Sequence, residues 1–125
     1  MGAAARGEAG RRMTWEEISA LALALPGATP GTSYGRDAVL VRGKMVVAGG
    51  RTDDHCVLRA TLDEIDVLIA TDPDCFYQTP HYIGWPAVLV RYASVDPDRI
   101  AVLLERAWAG RASRAQLAAL QRAHS

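Results

Sequence analysis

The chain has 125 residues, half of them hydrophobic by type but only eight of them Phe, Trp or Tyr, which is enough for one domain with a modest core and too little for two. Two cysteines are too few for a disulfide framework, and the longest apolar run, Ile18 to Leu25, stops at Pro26, short of the roughly 20 residues a membrane-spanning helix needs; a reduced, cytoplasmic protein is expected. The formal charge is zero, with 14 basic and 14 acidic residues, yet residues 13 to 105 hold seven bases against thirteen acids, a balance of −6 between basic ends, which excludes a domain coated all round with positive charge for nucleic acid.

Residues 1–12 carry Arg6, Arg11 and Arg12 without any apolar period and read as a basic, disordered arm outside the fold. Thr14 and Glu17 have the spacing of a capping box, and Trp15, Ile18, Leu21 and Leu25 place an apolar stripe on a helix that ends at Pro26-Gly27. The stretch from Pro26 to Gly35 has the prolines, glycines and hydroxyls of a loop. Ala38 to Arg42 and Met45 to Ala48 read as strands joined at Gly43-Lys44, Arg51 to Asp54 as a turn, and Cys56 to Ala60 as a third strand. A second capping box, Thr61 with Glu64, opens a short helix with Leu62, Ile65, Leu68 and Ile69 on its inner face, closed by Asp72-Pro73. Phe76 to Thr79 and Ala87 to Tyr92 are further extended runs. Asp96 as N-cap and Pro97 at the first helical position start a third helix carrying Ile100, Leu103, Leu104, Ala107 and Trp108 up to Gly110, and Ser113 with Gln116 caps a last one. The predicted order α-β-β-β-α-β-β-α-α describes a single α+β domain, an antiparallel sheet with helices on one face. Its limits are residues 13–112, and 113–125 form a basic C-terminal tail with helical potential.

Several catalytic patterns are present by letter and fail by context. Gly31-Thr32-Ser33-Tyr34-Gly35 spells a nucleophile elbow, but that chemistry needs a strand before the serine and a helix after it, and the predicted order is the reverse. His81 and Tyr82 follow Pro80 without a carboxylate that can be named as partner. His55, Cys56, Cys75 and His81 lack the paired spacing that sets two metal ligands on one turn, so no metal or other cofactor is expected. Asp63, Glu64 and Asp66 fall in the first turn of a helix, where carboxylates offset the dipole.

The segment Thr79-Pro80-His81-Tyr82-Ile83-Gly84-Trp85-Pro86-Ala87-Val88-Leu89-Val90, taken with Leu25-Pro26-Gly27 and Thr32-Ser33-Tyr34-Gly35, resembles the MmcQ/YjbR family. Val41-Arg42-Gly43-Lys44-Met45, Asp72-Pro73-Asp74-Cys75-Phe76-Tyr77 and Val95-Asp96-Pro97 extend the resemblance over about residues 14 to 112. It implies a frataxin-like fold and, through a sheet likened to a double wing, DNA binding; it implies no catalytic residue, and the chain is expected not to be an enzyme. Iron binding of the frataxin kind relies on carboxylates along the first helix, where this chain has only Glu16 and Glu17 side by side.

Two functions emerge. In one, the strand-borne bases Arg36, Arg42, Lys44, Arg51, Arg59 and Arg91 hold DNA weakly and in a salt-sensitive way. In the other, Tyr34, Thr79, His81, Tyr82 and Trp85 shape a pocket for a small molecule or peptide. The same aromatics would also serve as lids of the core.

Overall fold

A computed structural model of the chain describes residues 13–123; the basic arm expected at 1–12 and the last two residues of the tail lie outside them. The elements are α1 (Trp15–Leu23), β1 (Ala28–Ser33), β2 (Arg36–Val41), β3 (Lys44–Gly49), β4 (His55–Arg59), α2 (Leu62–Thr71), β5 (Phe76–Tyr77), a 3-10 turn (Pro80–Tyr82), β6 (Ala87–Arg91), α3 (Pro97–Ala109) and α4 (Arg114–Ala123). The six strands form one open sheet in the order β1-β2-β3-β4-β6-β5, and every neighbouring pair is antiparallel. The chain is therefore α+β, as its element order predicts. Among the described residues no helix is long and apolar enough to cross a membrane.

Helix starts follow the sequence closely. Thr14 accepts from the Glu17 backbone N–H and Glu17 accepts from the Thr14 N–H, and Thr61 and Glu64 repeat the arrangement on α2. Asp96 accepts from the Arg99 N–H at 3.0 Å ahead of Pro97. At α4 the Ser113 hydroxyl and the Gln116 carbonyl oxygen close the same reciprocal cap at 3.2 and 2.8 Å. These contacts occupy backbone donors that a helix N-terminus otherwise leaves open.

Three expectations need correction. The stretch after Gly27 is not a loop: Ala28–Ser33 is an edge strand paired in continuous register with β2, Thr29 opposite Leu40 and Gly31 opposite Ala38. Pro30 is tolerated there because an edge strand has a side on which no partner asks for an N–H. The turn between β2 and β3 is Arg42-Gly43, with φ of +54° and +78°. Tyr34-Gly35 joins β1 to β2 in the same way, with φ of +51° and +79°. Positive φ at both central residues defines the hairpin turn whose twist matches the strands, with glycine in second place. Finally, two leucines read as inward-facing are not: Leu62, at the start of α2, is 52% exposed, and Leu21 is 38% exposed, the buried seam of α1 running through Ile18 and Ala22. Ala22 is wholly buried in the main core, and α1 packs against α3 and the first three strands.

Strand alternation sorts the sheet into two faces. One face, with Val39, Val41, Val47, Cys56, Leu58, Val88 and Val90, meets Ile18, Ile65, Leu68, Ile100, Leu103, Leu104 and Trp108 in the main core. Val46 is the extra residue of a bulge, since Val39 pairs with Val47 but Leu40 with Met45. Trp108 is wholly buried, and its indole Nε1 donates to the Pro26 carbonyl at 2.7 Å, tying α3 to the loop after α1. The opposite face carries a smaller apolar group, Val57, Ala87 and Leu89, with Met45, Tyr77 and Tyr82 packed on it. Among the described residues no α-helix contributes a side chain to that second group, and the candidate site lies there.

Candidate ligand-binding site

A cavity of about 620 Å³ opens on this face. Its floor is Met45, Ala48, Gly49, Val57 and Ala87, the outward side chains and backbone of β3, β4 and β6. The tip of the β1–β2 hairpin supplies Ser33, Tyr34 and Arg36 on one side, and His81, Tyr82, Trp85 and Pro86 form the other. Arg51, Arg59 and Arg111 complete the lining.

The aromatic wall is fixed by one side chain that carries no signal in the sequence. The Gln78 amide Nε2 donates to the carbonyls of Ala87 at 2.8 Å, Tyr82 at 3.0 Å and Trp85 at 3.3 Å. It thereby gathers both ends of the segment around itself. Backbone bonds from Tyr82 N–H to Thr79 and from Trp85 N–H to Tyr82, both 2.9 Å, tighten it, and Gly84 at φ +86° makes the reversal between them. The Ala60 N–H donates to Pro86 at 3.1 Å and joins the segment to the end of β4. Tyr82 packs on the apolar floor, and His81 stands edge-on to it at 5.0 Å between ring centroids.

Tyr34 is 93% and Trp85 60% exposed, so these two rings are rims of the cavity and not lids on the core. Tyr34 also sits at positive φ, a conformation that disfavours a bulky residue and recurs where a loop has a task to perform.

The charge of the lining is one-sided. Four guanidinium groups, Arg36, Arg51, Arg59 and Arg111, border the cavity, and among the described residues no carboxylate lines it. Arg111 lies on the short connection between α3 and α4. Burial first, and then the neighbouring Arg59, push its pKa down from the ordinary guanidinium value. Its Nε is buried without a hydrogen-bond partner among the described residues.

Of the six strand-borne bases, Arg36, Arg51 and Arg59 thus meet at the cavity. Arg42 and Lys44 sit exposed around the β2–β3 turn and do not line it. Arg91 is engaged elsewhere: its guanidinium lies 4.0 Å from the Tyr77 ring centre and donates to the carbonyls of Asp74 and Pro73 at 3.1 and 3.3 Å. Of the aromatic set, Tyr34, His81, Tyr82 and Trp85 line the cavity. Thr79 is the exposed residue before the 3-10 turn and contributes its carbonyl to holding it. Sequence reasoning missed Arg111, Gln78 and Met45; only Arg111, in a run of basic residues past the last core helix, had any signal, and that was charge alone.

The remaining sequence candidates lie apart. Cys56 and Cys75 are buried, and burial pushes both thiols up to about 12. His55 is buried with its Nδ1 2.7 Å from Asp54, whose carboxyl is lowered to about 2, first by the Thr52 hydroxyl and then by His55. Among the described residues no group of three or more His, Cys, Asp and Glu side chains is gathered as a metal site would require.

Residues 23–109 match the sequence model of the YjbR family. The chain belongs to the YjbR family. The matched region of this YjbR protein contains the sheet, the aromatic segment and three of the four cavity arginines, and ends two residues before Arg111. Proteins described as uncharacterized from Mycobacterium bovis and from two strains of Mycobacterium tuberculosis are 44% identical to it over 41 residues. That match spans 33% of this chain and 32% of each relative, about a third of their length. No solved structure matches the chain.

Proposed function

We propose that this YjbR-family protein is a binding module without catalysis, and that the open face of its sheet takes a small anionic ligand with a flat apolar part. The observation that carries this reading is the composition of the cavity lining, four arginines and the rings of Tyr34, His81, Tyr82 and Trp85 without a carboxylate. A concave apolar floor with a few convergent polar groups is the usual make-up of a small-molecule site. Guanidinium groups add charge-assisted hydrogen bonds to oxyanions, and exposed rings add stacking surface.

The test is thermal unfolding of the full chain against aromatic carboxylates, aromatic phosphates and their uncharged counterparts. A ligand at about a hundred times its Kd stabilises the folded state by about 2.7 kcal/mol. Charged aromatics should raise the melting temperature, uncharged ones much less, and Trp85→Ala should reduce the gain. A panel in which charge makes no difference, or a Trp85→Ala protein that responds as the parent does, overturns the reading.

A second reading is favoured by the convergence of Arg36, Arg51 and Arg59 beside two exposed rings: DNA held by phosphate contacts, weakly because the acidic body opposes it. For duplex DNA lying across the sheet, Arg42→Ala or Lys44→Ala should each lower the log-log salt slope by about one unit. If binding is confined to the cavity, neither substitution changes it, since neither residue lines it.

A further inference from the structure

Arg59 and Arg111 are the most unusual pair in the molecule. Arg59 closes β4, opposite Ala87 and next to the bond from Ala60 to Pro86, so it borders the base of the Trp85 segment. Arg111 reaches the same cavity from the connection after α3, where its backbone is tied down. Its own N–H and that of Ala112 both donate to the Trp108 carbonyl, at 2.8 and 2.9 Å, and Trp108 is buried and fastened to Pro26. On the other side the Ser113–Gln116 cap starts α4 at once. Two permanent cations therefore line one cavity, close enough for Arg59 to act on the charge of Arg111, whose Nε is buried without a partner among the described residues, and no carboxylate is among the described lining residues.

Such an arrangement is unfavourable in an empty cavity, because like charges repel and an unsatisfied buried donor loses its hydration. An oxyanion in the cavity offsets the repulsion by accepting from the N–H groups that the two guanidiniums turn to it. Guanidinium forks match oxyanions in bidentate fashion, and arginine cannot relieve the repulsion by shedding its proton. A carboxylate offers one negative charge to two cations; a phosphate monoester offers nearly two, with three acceptor oxygens.

We propose that Arg59 and Arg111 form a phosphoryl subsite, so that the ligand of this cavity is a phosphate monoester whose flat group lies against Trp85. The inference rests on the cavity reading above and deepens it. Arg111 lies two residues past the stretch that matches the family model.

The experiment is a titration of the full-length protein, labelled with nitrogen-15, with phenyl phosphate, benzoate, phenol and inorganic phosphate. It follows the side-chain Nε–H signals of Arg59 and Arg111 and the indole N–H of Trp85. Phenyl phosphate should shift all three saturably and bind at least ten-fold more tightly than benzoate, inorganic phosphate should move the two arginines alone, and phenol should move at most Trp85. Arg111→Gln should lose at least ten-fold in phenyl phosphate affinity while its ligand-free melting temperature stays level or rises; Arg59→Gln should show the same loss, and Arg42→Ala should bind as the parent does. If benzoate and phenyl phosphate bind equally, or Arg111→Gln keeps the parent affinity, the phosphoryl subsite is refuted while the cavity reading stands. A fall in the ligand-free melting temperature of Arg111→Gln, with unchanged affinity, makes Arg111 a structural residue. If no compound moves Trp85 or either arginine, the cavity reading fails and the subsite with it.

Discussion

Replacing Trp108 by phenylalanine tests the joint on which the helical layer turns. The indole is wholly buried and bonds to a carbonyl 82 residues away in sequence, at 2.7 Å. Losing about three heavy atoms removes about 2 kcal/mol of burial at roughly 0.8 kcal/mol per methylene-sized group. Leaving the Pro26 carbonyl without its donor adds about 1 to 2 kcal/mol. The expected loss of about 3 to 4 kcal/mol is a large share of the roughly 5 to 15 kcal/mol that hold a domain together. Urea unfolding followed by circular dichroism should therefore show a midpoint lowered by about 1.5 to 2 M at an unchanged slope of about 2 kcal/mol/M. Amide exchange should quicken at Ala28, Arg111 and Ala112, whose N–H groups bond beside this joint. A loss below about 1 kcal/mol, or unaltered exchange at those amides, refutes the reasoning, since neither the burial nor the bond would then be contributing as described.

Gly27 and Gly43 both adopt positive φ, but a side chain at Gly27 would collide with Gln116 whereas none is near Gly43. Gly43→Ala should cost about 1 kcal/mol and Gly27→Ala clearly more, by chemical denaturation, the difference reporting how closely α4 approaches the loop. Cys56 and Cys75, raised to about 12, should resist Ellman's reagent at neutral pH and react only on unfolding. Because their folded-state values lie above those of free thiols, the associated stability is complete below the usual thiol range and declines as pH rises from there towards 12. Asp54 has the opposite sign: its carboxyl is lowered to about 2, so its contribution is present above the ordinary value and disappears as pH falls through about 2. Asp54→Asn should accordingly differ from the parent in stability near neutral pH and converge with it in strong acid, as measured by unfolding across that range.

Elements whose signals are local were readable from the sequence. Thr14, Thr61, Asp96 and Ser113 all cap as their spacing requires, because a cap is decided within four residues. β1 was not readable, because Pro30 and Gly31 have turn composition and their strand conformation is imposed by pairing with β2. The aromatic half of the candidate site showed itself as a compact run of unusual residues from His81 to Trp85. The basic half was legible only in part: Arg36, Arg51 and Arg59 stood among six candidate bases, but which of the six meet, and that Arg111 joins them, depends on the sheet register and the path after α3. Gln78 shows no pattern in sequence at all, since its role depends on three carbonyls brought round by the following turn.

The two borders of the sheet shape how the molecule meets its own kind. On one border Pro30 interrupts the row of donors of β1, and on the other β5 is only two residues long. Neither offers a length of free backbone on which another chain might extend the sheet, and so the uncovered face can remain open to water without seeding fibrous growth. A second copy laid face to face on the open side of the sheet would set guanidinium groups against guanidinium groups. The guanidinium groups proposed to hold an anion would thus also oppose such face-to-face pairing.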